Sequence, residues 1–452
     1  MGLQAAIDHW HSLLGTGLAE ATQAQLTDQL SRRGLFFGDR PLCSVLRPRF
    51  LTAAQYAFLQ RRCATMMSAF RRAYDAAVAD AAIRAQFGLL DWEEMLFAEE
   101  PGFRDPSPVS RLDAFFVPER GGLRFTEYNG ETPAAAAYND VLADVFLGLP
   151  VTREFLRKFE IRPQPARQNV MHALLDAWRQ WSGGRARPRI AILDWTDVPT
   201  RSEFVITQEY LRSQGLSCII ADPGEAELRG DAFFVRGEPI DLIYKRVLIT
   251  ELVERGGIDH AVVRAVRRRA VCMVNGFRCK LLHKKASLAV LSDERNAALF
   301  TAEEHEAIES HIPWTRRVEE RHTTFRGQPV DLLPFIARQR DTFVLKPNDD
   351  YGGAGIVLGW ETDEAGWAGA LRRALAEPYI VQERVTIPVE PYPVLVDGAL
   401  SIEDRILDTA PFIWYGAWMD GCLTRLSTAS LVNVTAGGGS SLATLVVEPR
   451  IR

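Results

Sequence analysis

Four short stretches of this chain carry residue types that could do chemistry. The first is Phe343-Val344-Leu345-Lys346-Pro347, followed by Asn348-Asp349-Asp350-Tyr351-Gly352-Gly353-Ala354-Gly355. The apolar run reads as a strand that delivers Lys346 to its end. Gly352, Gly353 and Gly355 let backbone N–H groups approach phosphate oxygens that side chains would block. The lysine supplies a point charge for the same phosphates. The spacing is not GxxxxGK[ST], so this is not a P-loop. A tight hairpin with an exposed lysine accounts for the same residues.

The second stretch opens on Arg111-Leu112-Asp113 and closes on Glu127-Tyr128-Asn129. Leu112–Val117 and Leu123–Tyr128 read as two strands around the turn Pro118-Glu119-Arg120-Gly121-Gly122. Alternation sets Arg111 and Asp113 on one face of their strand, and Glu127 and Asn129 on one face of theirs. Pairing across the turn could bring these faces together. Two carboxylates and an amide oxygen are hard ligands that suit Mg²⁺ bridging nucleotide phosphates. Arg111 could neutralise a transferring phosphoryl group. A surface hairpin with an Arg111–Asp113 ion pair fits equally.

The third stretch is Tyr379-Ile380-Val381-Gln382-Glu383-Arg384-Val385. An apolar strand ending in a polar hinge offers an adenine both a slot and a backbone donor and acceptor at its edge. An ordinary core strand reads the same way. The fourth is Leu281-Leu282-His283-Lys284-Lys285-Ala286-Ser287. A strand at Cys272–Asn275 leads into a helix whose first turn carries two lysines, aimed either at a nucleotide or at solvent.

These residues need elements to hold them. The chain has 452 residues, 47% hydrophobic and 25% charged, which is ordinary globular composition. Its length suggests two to four packing units. A net charge of −5 argues against nucleic-acid binding through the overall field. No apolar run is long enough for a membrane helix, and the N-terminus lacks the features of a signal peptide. The six cysteines form no CxxC, and the histidines no HExxH. Reduced thiols in a cytoplasmic protein are expected, without a zinc site.

Residues 1 to about 100 read as helical, with helices over Ala53–Phe70 and Ala73–Leu90 and N-caps at Thr52 and Asp91. Gly183–Pro188 reads as a linker. After it, strand Arg189–Leu193, helix Glu203–Gln214 and strand Leu216–Ala221 form a βαβ unit with a parallel sheet. Strands at Ala232–Val235 and Ile240–Tyr244 follow, then a helix over Asp259–Arg269 whose arginines suit a solvated face. The last third reads as helix Thr362–Ala376 and several strands, one within Ser430–Thr435, beside a glycine cluster at Gly437–Gly439.

In this order the four stretches resemble the circularly permuted ATP-grasp enzymes, especially the synthetase domain of glutathionylspermidine synthase. The family's R-x-D and E-Y-N strands are similar to Arg111–Asp113 and Glu127–Asn129. Its N-P-x-W-K-x-L-x-S-N-K-A segment is similar to Asn275–Leu291, with Lys285 at the matching lysine. Its V-V-K-P and glycine loop resemble Val344–Gly355, and its Y-I-x-Q-E resembles Tyr379–Glu383. Gly416-Ala417-Trp418 and Leu423-Thr424-Arg425 resemble its late G-S-W and G-x-x-R. The resemblance runs from about residue 105 to 440.

The resemblance implies an α/β (α+β) permuted ATP-grasp fold: a helical N-terminal region (1–105), a magnesium-binding half (106–185), a βαβ pre-ATP-grasp-like subdomain (186–274) and a lysine/adenine half (275–452). It implies ATP and two Mg²⁺ as cofactors, the metal on Asp113, Glu127 and Asn129. Nucleotide contacts fall on Lys285, Lys346, Gly352, Gly353, Gly355, Gln382, Glu383 and Val385. Catalytic charge stabilisation falls on Arg111, Lys346 and Arg425. The implied reaction joins a small-molecule or peptide carboxylate to an amine through an acyl phosphate, the glycine loop covering the site. A non-catalytic ATP-binding sensor or scaffold of the same fold is the alternative. The sequence departs from the family in lacking an amidase-like N-terminus, in placing Asp349-Asp350 beside the phosphates, and in its Val432–Gly439 ending. Substrate identity and oligomeric state are not legible.

Overall fold

Alternation along Ala410–Trp414 shows how the largest sheet is built. Phe412 and Trp414 join one core and Ile413 another, on opposite faces. A computed structural model describes residues 2–118, 122–184, 186–350, 352–428 and 439–450. The centre of the turn at 119–121, the strand expected within Ser430–Thr435, and Gly437–Gly438 lie outside these residues.

Among the described residues this sheet has nine strands. Its main path runs Val389–Val396, Ala399–Leu407, Trp418–Ser427, Ala410–Trp414, Val109–Val117 and Gly122–Asn129. Ser440–Pro449 pairs with Trp418–Ser427 and carries Arg49–Leu51 and Phe159–Pro163 along its length. On one face lie the N-terminal helices, Ala136–Gly148 and Arg167–Ser182. On the other lie the long helix Ala53–Ala79 and Ala286–Ser292.

The N-terminal region is largely helical, yet it contributes Arg49–Leu51 to the large sheet and packs into three cores. Ala53–Ala79 is one helix where two were expected, because no glycine or proline interrupts it. Its start is as read: Thr52 accepts from Gln55 N–H and Gln55 reciprocates. The helix Asp91–Phe97 is capped by Leu90 rather than Asp91, because Glu93 reaches back to accept from the Leu90 N–H.

The βαβ unit forms a four-stranded sheet of parallel pairs, ordered Cys272–Val274, Leu242–Lys245, Ile190–Leu193, Cys218–Ala221. Helix Arg201–Ser213 makes the first crossover. Ile190–Leu193 is buried throughout, as a parallel strand covered on both faces must be. The expected helix at 259–269 shortens to Ala261–Arg267, with its arginines at 264 and 267–269 exposed.

A third sheet carries the lysine strand. It is antiparallel, ordered Thr315–Arg317, Tyr379–Glu383, Phe343–Pro347, Val357–Leu358. Helices Leu332–Arg338 and Glu364–Ala376 cover it through Ile336, Trp367, Ala370 and Ala374. The hairpin of the large sheet and the lysine strand of this one face each other across a cavity.

Candidate active site

The hairpin register sets Arg111 opposite Asn129 and Asp113 opposite Glu127. After Asp113 the register shifts, because Ala114 pairs with Phe125 and Thr126 becomes an extra residue. Bulges of this kind re-aim groups beside sites. Here the bulge turns the Thr126 carbonyl toward the other sheet, where Lys346 Nζ donates to it at 3.3 Å.

Asp113 is held by two arginines. Arg111 donates from Nε to Oδ1 at 2.6 Å and from Nη2 to Oδ2 at 2.9 Å. Arg425 donates from Nη2 to Oδ2 at 2.9 Å. Burial disfavours the ionised carboxyl, but the two guanidinium groups outweigh it and hold Asp113 at about 2. Arg425 is itself positioned by Asp408, which accepts from its Nε at 2.6 Å and its backbone N–H at 2.7 Å. Burial foremost raises the Asp408 carboxyl, with Asp113 adding to the effect against Arg425.

Glu127 faces the lysines. Lys285 Nζ lies 3.0 Å from its Oε1 and donates to the Asp350 carbonyl at 2.6 Å. Burial opposes ionisation of Glu127, yet Lys285, with Lys346 adding, keeps its carboxyl below the usual range against Asp113. Burial pushes the Lys346 ammonium down to about 8, against the attraction of Glu127. Three carboxylates (Asp113, Glu127, Asp408) therefore meet four cations (Arg111, Arg425, Lys285, Lys346). That balance suits an anionic ligand.

The cavity between the sheets measures about 140 Å³. Asp113, Glu127, Lys346, Gln382, Glu383, Val385 and Arg425 line it. Arg111 and Lys285 stand one contact behind, on Asp113 and Glu127. Ile356, Leu358, Trp360, Arg384 and Asp408 also line it, and the sequence motifs do not single these out. Arg384 stacks 4.3 Å over the Trp360 ring at the rim. An acid closing the apolar end of a strand was the available signal for Asp408. No local pattern marks the Trp360–Arg384 pair.

Gln382 and Glu383, expected to contact a nucleotide, line the cavity and also make contacts within the protein. The Gln382 side chain accepts from Lys346 at 2.8 Å and donates to Thr315 Oγ1 at 3.0 Å, so it holds the lysine. Glu383 accepts from Arg326 at 2.7 Å, and its backbone N–H donates to the Trp314 carbonyl at 2.8 Å. The last sheet-bound N–H is that of Arg384, which donates to the Thr342 carbonyl at 2.7 Å; Val385 follows where the backbone leaves. Gly352, Gly353 and Gly355 have φ of 66°, 81° and 68°, a region that favours glycine. A Cβ on Gly355 would lie 2.6 Å from the Pro347 ring. These glycines are not among the residues lining the cavity; Ile356, just after them, is.

Asp349, expected from sequence to put negative charge near the phosphates, is not among the residues lining the cavity and is paired with lysines. Lys280 donates to both its oxygens, at 2.7 and 2.6 Å, and Lys284 donates at 2.9 Å. Lys284 is thereby turned away from Lys285, whose Nζ goes to Glu127. Among the described residues, Glu131, His283 and Asp349 bring ligand atoms within 4.8 Å of one another. The Lys280 ammonium, 3.3 Å from Glu131 and 2.6 Å from Asp349, already supplies the cation there. All six cysteines are free and buried, and no described helix is long and apolar enough to cross a membrane.

No protein-family model matches the chain. A protein of Frankia alni named "Putative glutamate--cysteine ligase 2-3" is 23% identical over 93% of this chain and 49% of its own length. The chain thus spans about half the length of that curated relative. The solved structure of a glutathione synthetase-like effector, GSS30 of Globodera pallida in its apo form, superposes with a TM-score of 0.57. It is 12% identical, and the match covers 94% of this chain and 96% of that one. The protein therefore has a mixed helix-and-sheet fold of the kind seen in that glutathione synthetase-like structure.

Proposed function

We propose that this chain is an ATP- and Mg²⁺-dependent ligase of the permuted ATP-grasp type that joins a carboxylate to an amine. The observation that carries the reading is the meeting of Lys346, from one sheet, with Asp113 and Glu127, from the other, across one cavity. The relative's printed name, a ligase of glutamate and cysteine, supports amino acids or small peptides as substrates. The motif order supports the permutation and the likeness to glutathionylspermidine synthase; its polyamine acceptor is one candidate among amines.

The donor types suit Mg²⁺, with Asp113 and Glu127 in the cavity wall and Asn129 outside its lining. Asp113 and Glu127 are opposed in register, Asn129 follows two residues on, and both carboxyls are held ionised. Two bound Mg²⁺ ions would neutralise charge on the phosphates. Arg111 and Arg425 would then exchange part of their hold on Asp113 for phosphoryl oxygens. Lys285 and Lys346 would hold the phosphates, and Val385 the adenine edge. The cavity is smaller than the roughly 300 Å³ of ordinary ligand pockets, so a nucleotide must part the two sheets.

In the proposed reaction a substrate carboxylate oxygen bonds to the γ-phosphorus, and the bond to ADP breaks. The amine nitrogen then bonds to the acyl carbon of the acyl phosphate. Phosphate leaves with the electron pair, and the amine proton passes to water. The chain's residues position and stabilise charge, which is what phosphoryl transfer demands. The second substrate has a natural place where the parallel-sheet order reverses, between Leu193 and Lys245. Asp194, raised to about 6 by burial against Arg246, sits there. Arg246 donates to the Pro133 carbonyl at 2.6 Å, beside the hairpin's exit.

The test is ADP release with Mg²⁺ over a matrix of amino acids, small peptides and polyamines, with products read by mass. An amide product formed with ADP is expected. One observation favours the sensor alternative: both Asp113 oxygens are already in ion pairs. ATP binding without ADP release across the whole matrix would establish that alternative.

A further inference from the structure

Beneath the glycine run lies a buried charge cluster that the proposed chemistry does not use. It contains Glu93, Glu131 and Asp349 with Lys245, Lys280 and Lys284. The cluster is formally neutral, and its members come from five segments distant in sequence. Lys280 is its centre. Its Nζ donates to both oxygens of Asp349, and lies 3.3 Å from Glu131 and 3.7 Å from Glu93.

The two carboxylates it joins belong to the two halves of the site. Glu131 is two residues beyond Asn129, at the exit of the hairpin. Asp349 stands at the base of the glycine run, after the lysine strand. The base is pinned beside it as well: Lys285 N–H donates to the Asn348 carbonyl at 2.9 Å, and Ala286 N–H to Asn348 Oδ1 at 2.8 Å. Asn348 in turn donates to the Phe87 carbonyl at 2.9 Å.

Removing the Lys280 ammonium leaves three carboxylates to two lysines, with only Lys284 on Asp349 and Lys245 on Glu131, and a net charge buried there is unfavourable. The two partners are not equally free to respond. Glu131 is held by the Ile249 N–H at 2.5 Å and by Lys245 at 3.4 Å. Asp349 keeps Lys284 at 2.9 Å, but it is on a loop and half-buried, whereas Glu131 is fully buried. The strain is relieved by moving Asp349, and with it the Gly352–Gly355 backbone.

We infer that Lys280 is a positioning residue: its ammonium ties Asp349 to Glu131 and so sets the place of Gly352–Gly355, the run that leads into Ile356 at the cavity wall. The inference rests on the ligase reading. It separates the two lysines that precede Lys285 from the nucleotide and gives them a mechanical role. A displacement of about 1 Å at such a base is enough for a loss on the order of 100-fold.

The test measures hydrogen exchange over Gly352–Ile356, with and without a non-hydrolysable ATP analogue and Mg²⁺, beside ADP release. The wild type, Lys280→Met, Asp349→Asn and Lys280→Arg are compared. Protection of the glycines by the analogue in the wild type is expected. Lys280→Met and Asp349→Asn should lose that protection and about 100-fold in kcat, while the analogue's Kd changes less than about threefold and Lys280→Arg recovers most of kcat. Asp349→Asn is nearly isosteric and decides the matter if Lys280→Met does not fold. Wild-type protection and kcat in both variants overturn the inference while leaving the ligase reading intact. Absence of protection and of ADP release in the wild type overturns both.

Discussion

The Lys346 ammonium donates to the Thr126 carbonyl at 3.3 Å, so the lysine of one sheet rests on the bulged residue of the other. Its second contact, Gln382 Oε1 at 2.8 Å, lies on the neighbouring strand of its own sheet. Neither partner is an anion. The charge is thus held at the cavity wall by dipoles and left available to a phosphate. Glu127 and Asp113 attract it from across the cavity.

Lys346→Met should therefore abolish ADP release while leaving the fold intact. Loss of one preorganised charge contact costs on the order of 100- to 1,000-fold. The melting temperature should hold or rise, because folding disfavours the lysine's charged form. ADP release and thermal unfolding measured on one preparation check both halves. Wild-type turnover in the variant would remove Lys346 from the phosphates.

Much of this arrangement is legible in the sequence, for a definite physical reason. Period-two alternation alone places Arg111 with Asp113 and Glu127 with Asn129, and the register then aligns the two pairs. The glycines at 352, 353 and 355 announce a backbone that other residues rarely adopt. The bulge at Thr126 is not legible, because it depends on how two strands pair. Nor is the direction of Lys284 and Lys285. They are adjacent, and only the break between the Cys279–His283 and Ala286–Ser292 helices sends one to Asp349 and the other to Glu127. Asp349 reads as hostile to phosphate because its two lysine partners come from about 70 residues away in the chain.

Asp408 should matter through Arg425. It accepts from both the side chain and the backbone of that arginine. Asp408→Ala frees the guanidinium to close wholly on Asp113, whereas Asp408→Asn keeps one acceptor oxygen. The expected order of kcat is wild type, then Asn, then Ala, with the alanine variant lower by about 100-fold, as for loss of orientation. Steady-state kinetics on the three proteins check the order. Equal rates would make Asp408 a bystander.

Acid should unfold the protein through its buried carboxylates. Burial opposes ionisation at Asp113 and Glu131, but Arg111 and Arg425 at the first, and Lys280 and Lys245 at the second, hold each at about 2. Asp349 is depressed by Lys280 and Lys284 against its own burial. The unfolded chain takes up these protons at about 4, so it binds more of them than the folded chain between about 4 and 2. The stabilisation is complete above about 4 and is lost as pH falls toward about 2. Thermal unfolding midpoints should drop steeply over that window. Glu131→Gln should flatten the drop, and an unchanged slope in that variant would place the proton uptake elsewhere.

Alkaline conditions should weaken nucleotide binding through Lys346. Folding pushes its ammonium down to about 8 from an ordinary value of about 10.4. In the proposed reaction the charged form is the one that would hold phosphate. Below about 8 it is already present and affinity should be flat. Above about 8, binding must first restore the proton, so Kd for the ATP analogue should rise by about tenfold per pH unit. Bound phosphate in turn raises the lysine's pKa, so binding at a pH of about 9 takes up a proton. Calorimetry in two buffers of different ionisation enthalpy measures that uptake directly, and Lys346→Met supplies the control. A proton uptake that persists in Lys346→Met assigns the linkage to another group.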